Sequence, residues 1–488
     1  MELTINLDAF NRFLALPPDQ QLLTMILTIG WIPISITFLW GFWQMWVEYL
    51  QDKWGATQKF IFLAIDIPRN NEQSPRAVEN LFSYLAGAHS TLNLVDKYWA
   101  GKFQLSFSFE IVSIGGYTQF LIRAPESFRD LVESAIYSQY PDAEITEVED
   151  YATEIPTMYP NDEYDIWGAE FIQAKPPAYP IRTYKDFEHI FGPPETHFRD
   201  PMASLMDLCS SLRDGEQLWY QIIVRPIGFD WIKIGEKEIS KVIGEKVKSK
   251  ENFFEKLLNG FFGILGDATG MFILPQEAAV EEKQSFNMMG LKPVQKKQIE
   301  AIQDKVSKLG FEVKIRMVYV AKKEVMNKQK VANGFVGFIK QYAYNDLNNI
   351  KPEMDHTATS TAYLFKEYRL NERKRNLMRK YKARSTLGWA IKEYNVEELA
   401  SIWHFPIESV VRAPLIQKAP GRKAEPPISL PIAQEVIRAD EEADSIFKRV
   451  EDIRRQPAEL GHPPEVDSIF EAEADSETSV PPENLPFA

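Results

Sequence analysis

Cysteine is almost missing from this chain: Cys209 is the single one in 488 residues. An intramolecular disulfide and a thiolate zinc cluster are therefore excluded. Histidine is scarce too. His89, His189, His197, His356, His404 and His462 are scattered without ligand spacing, so no metal site is expected. No GxxxxGK[ST] loop, GxSxG elbow or HExxH pair occurs, which removes ATP hydrolysis by a P-loop and two common hydrolase routes. Gly263, Gly266 and Gly310 stand in no phosphate-loop context. His404, between Trp403 and Phe405-Pro406, reads as a packed histidine, and Cys209 reads as a core residue on a helix face. Glu147, Glu149 and Asp150 follow a strand end and read as a solvated loop. The expectation is a non-enzyme with no catalytic, cofactor or metal site.

Charge is absent from Gln20 to Val47, between Asp19 and Glu48. A helix needs about 20 mostly apolar residues to cross a bilayer. Residues 20–48 are therefore expected to form a transmembrane helix after a short lead, 1–19, with a kink at Pro33. Trp31, Trp40, Trp43 and Trp46 suit an interfacial aromatic belt. A cleaved signal peptide fits poorly, because Arg12 is the one base ahead of the stretch and Trp46-Val47-Glu48-Tyr49-Leu50 lacks small residues. No second stretch is comparable, so a transporter is excluded. Lys53 and Lys59 follow the stretch, and this bias favours a single-pass protein of the cell membrane with a cytoplasmic C-terminal body.

Residues 57–152 read as a βαββαβ unit. Phe60–Ile65 is an apolar strand. Ser74-Pro75 opens a helix whose Val78, Leu81, Phe82 and Leu85 form one face. Phe103, Leu105, Phe107, Phe109 and Ile111 alternate with Gln104, Ser106, Ser108 and Glu110. Gly115-Gly116 supplies a hairpin turn into Tyr117–Ile122. Phe128, Leu131, Val132, Ala135 and Ile136 mark a second helix, and Ala143–Val148 a last strand. The order is that of a ferredoxin-like unit.

Residues 163–325 read as a second such unit with one strand not visible. Its elements are a strand over Ile166–Gln173, a helix after Asp200-Pro201 and a strand over Leu218–Val224. Ile299, Ile302, Val306 and Leu309 then mark a helix ended by Gly310, before a strand alternating from Phe311 to Tyr319. An insertion over 229–291 interrupts it, carrying Lys233, Lys237, Lys241, Lys246, Lys248 and Lys250 ahead of an apolar run from Phe261 to Leu265. A helical hairpin on the sheet and a lipid-interface segment both fit that pattern.

A helical basic region spans 326–412. Lys366, Arg369, Arg373, Lys374, Arg375, Arg379, Lys380, Lys382 and Arg384 oppose Glu367 and Glu372, so phosphate of nucleic acid or of lipid is a candidate ligand, and a solvated helix pairing with acids is the alternative. Residues 413–488 read as a proline-rich linker and disordered acidic tail. Eight acids and no Lys or Arg follow Gln456, which accounts for more than half of the net charge of −14. Asp444-Ser445-Ile446-Phe447 recurs as Asp467-Ser468-Ile469-Phe470, making Ile446, Phe447, Ile469 and Phe470 candidate partner-docking residues. The fold class expected is α+β: a single N-terminal transmembrane helix, tandem ferredoxin-like (βαββαβ) units, a helical insertion and the disordered acidic tail.

Several blocks carry a family likeness. They are Phe109-Glu110-Ile111-Val112-Ser113-Ile114-Gly115-Gly116, Tyr140-Pro141-Asp142-Ala143-Glu144-Ile145, Gly215-Glu216-Gln217-Leu218-Trp219-Tyr220-Gln221, the stretch Val396–Pro406 and the stretch Ala424–Pro431. Over about 57–431 the chain resembles an uncharacterised bacterial family of membrane-anchored proteins. It also resembles the N-terminal, pre-ATPase region of large proteins related to conjugative coupling proteins, of the type IV secretion-like class. Where those continue into a P-loop motor, this chain runs into its acidic tail. The resemblance implies a membrane-anchored adaptor whose partner is a separately encoded P-loop translocation ATPase. DNA and further copies of the chain stay open as partners, as does a structural platform that never meets nucleic acid.

Overall fold

The computed structural model of the protein describes residues 15–29, 31–67, 73–187, 200–244, 291–388, 390–407 and 422–423. The chain divides into two units, 1–424 and 425–488, and every described residue lies in the first. The candidate docking residues Ile446, Phe447, Ile469 and Phe470, with the expected acidic tail, lie outside the described residues, as does the apolar run from Phe261 to Leu265.

The uncharged N-terminal stretch forms two helices, α1 (Pro18–Ile29) and α2 (Trp31–Gly55), and Gly30 between them is outside the described residues. This departs from the single helix expected over 20–48. Among the described residues, no helix is long and apolar enough to cross a membrane. In α2 the tryptophans and Gln44 dilute the aliphatic content, and the helix runs on through Glu48, Asp52 and Lys53.

The first half of the body follows in chain order: β1 (Phe60–Asp66), α3 (Pro75–Leu85), α4 (Leu94–Tyr98), β2 (Phe107–Ile114), β3 (Tyr117–Pro125), α5 (Arg129–Tyr137) and β4 (Glu144–Val148). Ser74 stands at the N-cap of α3 without a side-chain cap bond, so Pro75, with its preset φ, carries the start. Val78, Leu81, Phe82 and Leu85 are all buried on one face. β2 begins at Phe107, later than the alternation from Phe103 suggests. Gly115 and Gly116 take φ of 56° and 91°, the two positive values that a tight hairpin with matching strand twist demands.

The second half contains β5 (Tyr164–Gln173), α6 (Met202–Ser210), β6 (Glu216–Pro226), α7 (Ile232–Ile243), α8 (Pro293–Val306), β7 (Gly310–Lys322), α9 (Lys328–Lys340) and β8 (Ile350–Pro352). Then come α10 (Lys366–Lys382), β9 (Lys392–Asn395), α11 (Val396–Ile402) and β10 (Arg422–Lys423).

All ten strands of the described residues join one antiparallel sheet in the order β10-β4-β1-β3-β2-β6-β7-β5-β8, with β9 also on β7. The order β4-β1-β3-β2 is that of a split β-α-β unit. The order β6-β7-β5-β8 repeats it in reverse direction across the sheet, and the two halves meet edge to edge where β2 pairs with β6 from Phe107↔Val224 to Ile114↔Gln217.

Three expected boundaries move. The second half does not end at 325: its second crossover helix is α9, and its missing strand is β8, three residues ended by Pro352 and too short to show an alternation. The helix at 299–309 instead packs with α7, where Ile302 and Val306 meet Trp231, so it belongs to the insertion between β6 and β7. Gly310 does not end that helix but opens β7. The region 326–412 is likewise no separate helical segment, since it supplies β8, β9 and three helices to the same body.

One face of the sheet carries the main core, formed with α3, α5, α6, α9 and α11. Cys209 lies in it, its thiol pushed up to about 12 by burial. The opposite face carries a second core, in which Ala64, Val112, Leu121, Trp219, Val318 and Val320 meet Leu377, Met378 and Tyr381 of α10.

Candidate functional site

Beside that second core, the sheet carries a row of buried polar side chains in one register. Glu110 of β2 pairs across to Gln221 of β6, Gln221 to Arg316 of β7, and Arg316 to Glu170 of β5. All four are at most 1% exposed. Charges out of water are costly unless paired and fully hydrogen-bonded, and this row is densely bonded. Arg316 Nε donates to Glu170 Oε1 at 2.9 Å and its Nη1 donates to Gln221 Oε1 at 3.2 Å. Gln221 Nε2 donates to Glu110 Oε1 at 2.9 Å. Lys314 adds an ion pair to Glu170 at 3.3 Å.

The row is closed from above by α10 and the turn after it. Arg384 donates to both oxygens of Glu110, at 3.1 and 3.2 Å, and to both oxygens of Asp150. Tyr151 Oη donates to Glu110 Oε2 at 2.7 Å and lies 2.7 Å from Tyr381 Oη. Arg316 also donates to the carbonyls of Lys380 and Ser385, and Lys314 to that of Leu387. Arg384 holds φ at 48°, a sparsely populated value for a non-glycine residue that these contacts enforce. Its guanidinium lies 4.6 Å from the centre of the Phe62 ring.

The electrostatics agree with a latch. Burial drives the Glu110 carboxyl up, but the Arg384 charge and the bonds from Arg384, Ser108 and Tyr151 outweigh it and hold it below the usual carboxylate range. Burial lowers Lys314 to about 8, against the pull of Glu170 and with the push of Arg316. Tyr151 and Tyr381 are raised well above a free phenol, chiefly by burial, so both hydroxyls stay protonated. Each acid in the row faces a cation from a distant part of the chain, so the arrangement ties segments together.

A second buried pair fastens the other face. Lys305 of α8 meets Glu398 of α11 at 2.8 Å, both fully buried. Asn395 caps α11 by accepting from Glu398 N at 2.8 Å, while Glu398 Oε1 accepts from Ile181 N at 2.8 Å. His404 is buried between the Ala400 carbonyl (2.8 Å) and Asp200 Oδ1 (2.9 Å). Among the described residues, no group of His, Cys, Asp and Glu is placed to hold a metal ion.

The basic stretch turns one face inward and leaves the other open. Lys374, Leu377, Met378 and Tyr381 are buried on one helical face of α10. Lys374 pairs with Asp165, Arg375 with Glu372 at 2.8 Å, and Arg379 donates to Asn376 at 2.6 Å. Arg373 gathers the carbonyls of Met354, Asp355, Ala358 and Ser360, Arg369 donates to Ala362 O at 3.1 Å, and Lys382 donates to Ile155 O. Arg384 is sealed in the latch. Lys366, Arg369 and Arg379 are exposed and Lys380 is half-buried.

In sequence, Ser108 and Glu110 read as the polar partners of an alternation, Lys314 and Arg316 fall on the alternate positions of the strand from Phe311 to Tyr319, and Asp150 reads as a solvated loop. The available signal was the change of character along the same face, where Glu110 is followed by Val112, and Arg316 by Val318 and Val320.

The latch, α11 and every strand except most of β1 and all of β10 fall within one family match. The model of a domain of unknown function, DUF8128, matches residues 65–416. This chain belongs to the DUF8128 family. Among curated proteins none matches it. The matched DUF8128 region takes in Glu110, Asp150, Glu170, Gln221, Arg316 and Arg384, and it begins after α1 and α2.

Proposed function

We propose that this protein is a non-enzymatic membrane-anchored adaptor of a conjugation or type IV secretion-like apparatus, which recruits a separate P-loop ATPase to its cytoplasmic body. The observation that carries the membrane part is the surface of α2. Ile34, Ile36, Phe38, Leu39, Trp40, Phe42, Met45 and Trp46 are all exposed, and at 100° per residue they cover about two thirds of the helix circumference, the remaining sector holding Thr37, Gly41 and Gln44. An exposed apolar surface this wide on one helix is stable only against lipid or protein. The adaptor part rests on the resemblance described above and on a body whose buried charges are paired with one another.

The full chain is expected to remain in the membrane fraction through alkaline carbonate and to leave it in detergent, and cross-linked membranes are expected to yield a P-loop ATPase with it. Release by carbonate would end the anchor reading; membranes yielding no such ATPase would end the adaptor reading.

The pairing of Arg373, Lys374, Arg375 and Lys382 with carbonyls and acids of the same body favours a second reading, a structural platform without nucleic-acid contact. Changing Lys366, Arg369, Arg379 and Lys380 to Gln separates the two. Under the first reading DNA binding weakens and its salt slope flattens. Under the second there is no salt-sensitive binding to lose.

A further inference from the structure

We propose that α4 is a second membrane contact, a short amphipathic element lying in the headgroup boundary beside α2; this rests on the anchor reading above. Three observations lead to it. Leu94 is 76% exposed, Val95 68% and Trp99 77%, and Val95 and Trp99 lie one helical turn apart on the same side of the segment. Surface residues this apolar and this open are common singly, but a contiguous patch of them marks a contact.

The segment is also fixed against α2. Tyr98 lies 5.9 Å from Trp43 by ring centres, and Phe103 lies 5.0 Å from Trp54. Gly101, at φ 68°, sits so close that a Cβ there would stand 2.4 Å from the Leu50 carbonyl. These contacts set its level. From Trp43 to Leu50 is about 10 Å along a helix rising about 1.5 Å per residue, and that interval contains Trp46 and Tyr49. Tryptophan and tyrosine concentrate where a membrane meets water. The exposed face of α4 therefore continues the apolar surface of α2 at its aromatic end.

Charge is arranged to suit. Asp96 is neutralised by Lys102 at 2.9 Å, and Lys97 is exposed beside Tyr98, leaving one cation free for lipid phosphate. An apolar face with a lysine beside it is the pattern of an interfacial element.

The test is depth-dependent quenching in the full chain, reconstituted in phosphatidylcholine vesicles with a minority of phosphatidylglycerol. An environment-sensitive fluorophore is placed on Val95→Cys or on Ile34→Cys. Cys209 is buried, so the unmodified chain should take up no label and serves as the blank. The expected result is quenching of the Ile34 site by lipid carrying its quencher deep in the acyl chain, and of the Val95 site by lipid carrying it near the headgroup. Quenching at Ile34 with none at Val95 would overturn this inference and leave the anchor standing. No quenching at either site would remove the anchor reading and this one with it.

Discussion

Arg384→Met is expected to destabilise the folded body by about 3–5 kcal/mol, the usual cost of leaving buried charges without their partner. Two carboxylates lose their cation at once: Glu110, fully buried, and Asp150, which Arg384 grips through both oxygens. The turn after α10 loses its anchor at the same time. Urea unfolding followed by far-UV circular dichroism measures the loss. The double variant Arg384→Met, Glu110→Gln should recover a substantial part of it, because the worst remaining group is then neutral. A loss under about 1 kcal/mol, the scale of an exposed pair, would mean that the latch does not hold α10.

The pH dependence separates this from simple packing damage. In the native chain Glu110 is held below its usual value of 4.5, so the unfolded state binds the extra proton between the two values. Its contribution is thus complete above 4.5 and is lost as pH falls through the lower, folded value. Without Arg384 the largest lowering influence is gone, and burial, opposed then by the bonds from Ser108 and Tyr151, raises the folded value above the usual one. The sign inverts, and the variant should gain stability relative to the native chain as the medium is acidified. A pH-independent difference between the two would contradict the assignment.

Trp403→Ala is expected to cost a similar amount, about 3–5 kcal/mol for deleting a large buried aromatic. Trp403 is fully buried and contacts Phe82, Phe109, Phe120 and Phe405, with ring centres 4.8 to 6.4 Å apart. It follows α11 in sequence, yet Phe82, Phe109 and Phe120 belong to the first half of the body. Trp403→Phe should cost a smaller fraction, because the indole N–H has no acceptor among the described residues and its loss leaves nothing newly unpaired. The unfolding midpoint should therefore order as native, Phe, Ala. Equal losses for the two variants would point to a bonded indole instead.

Much of the first half was legible because its signals are local. A proline at the start of α3, a Gly-Gly hairpin and helical faces such as Val78-Leu81-Phe82-Leu85 need no tertiary knowledge. The second half was less legible for reasons equally specific. β8 is three residues long and borrows its stability from β5, while α8 carries a periodic apolar face that suits a crossover helix as well as an inserted one. The candidate site was misread for a third reason. A strand's polar face looks the same in sequence whether water or another helix covers it.

By itself, then, the sequence determined the α+β class, the single cysteine, the apolar N-terminal stretch and the elements of the first half. These follow from residue type and short-range periodicity, which no distant contact can change. Only the tertiary structure decided that the two strand sets fuse edge to edge through β2 and β6, and that α10 buries Lys374 and ties Arg373, Arg375 and Lys382 to carbonyls and acids. It also decided that Glu110 finds Arg384 across 274 positions of chain. Those outcomes depend on which buried charge meets which partner, and desolvation makes that a question of three-dimensional proximity that spacing along the chain does not encode.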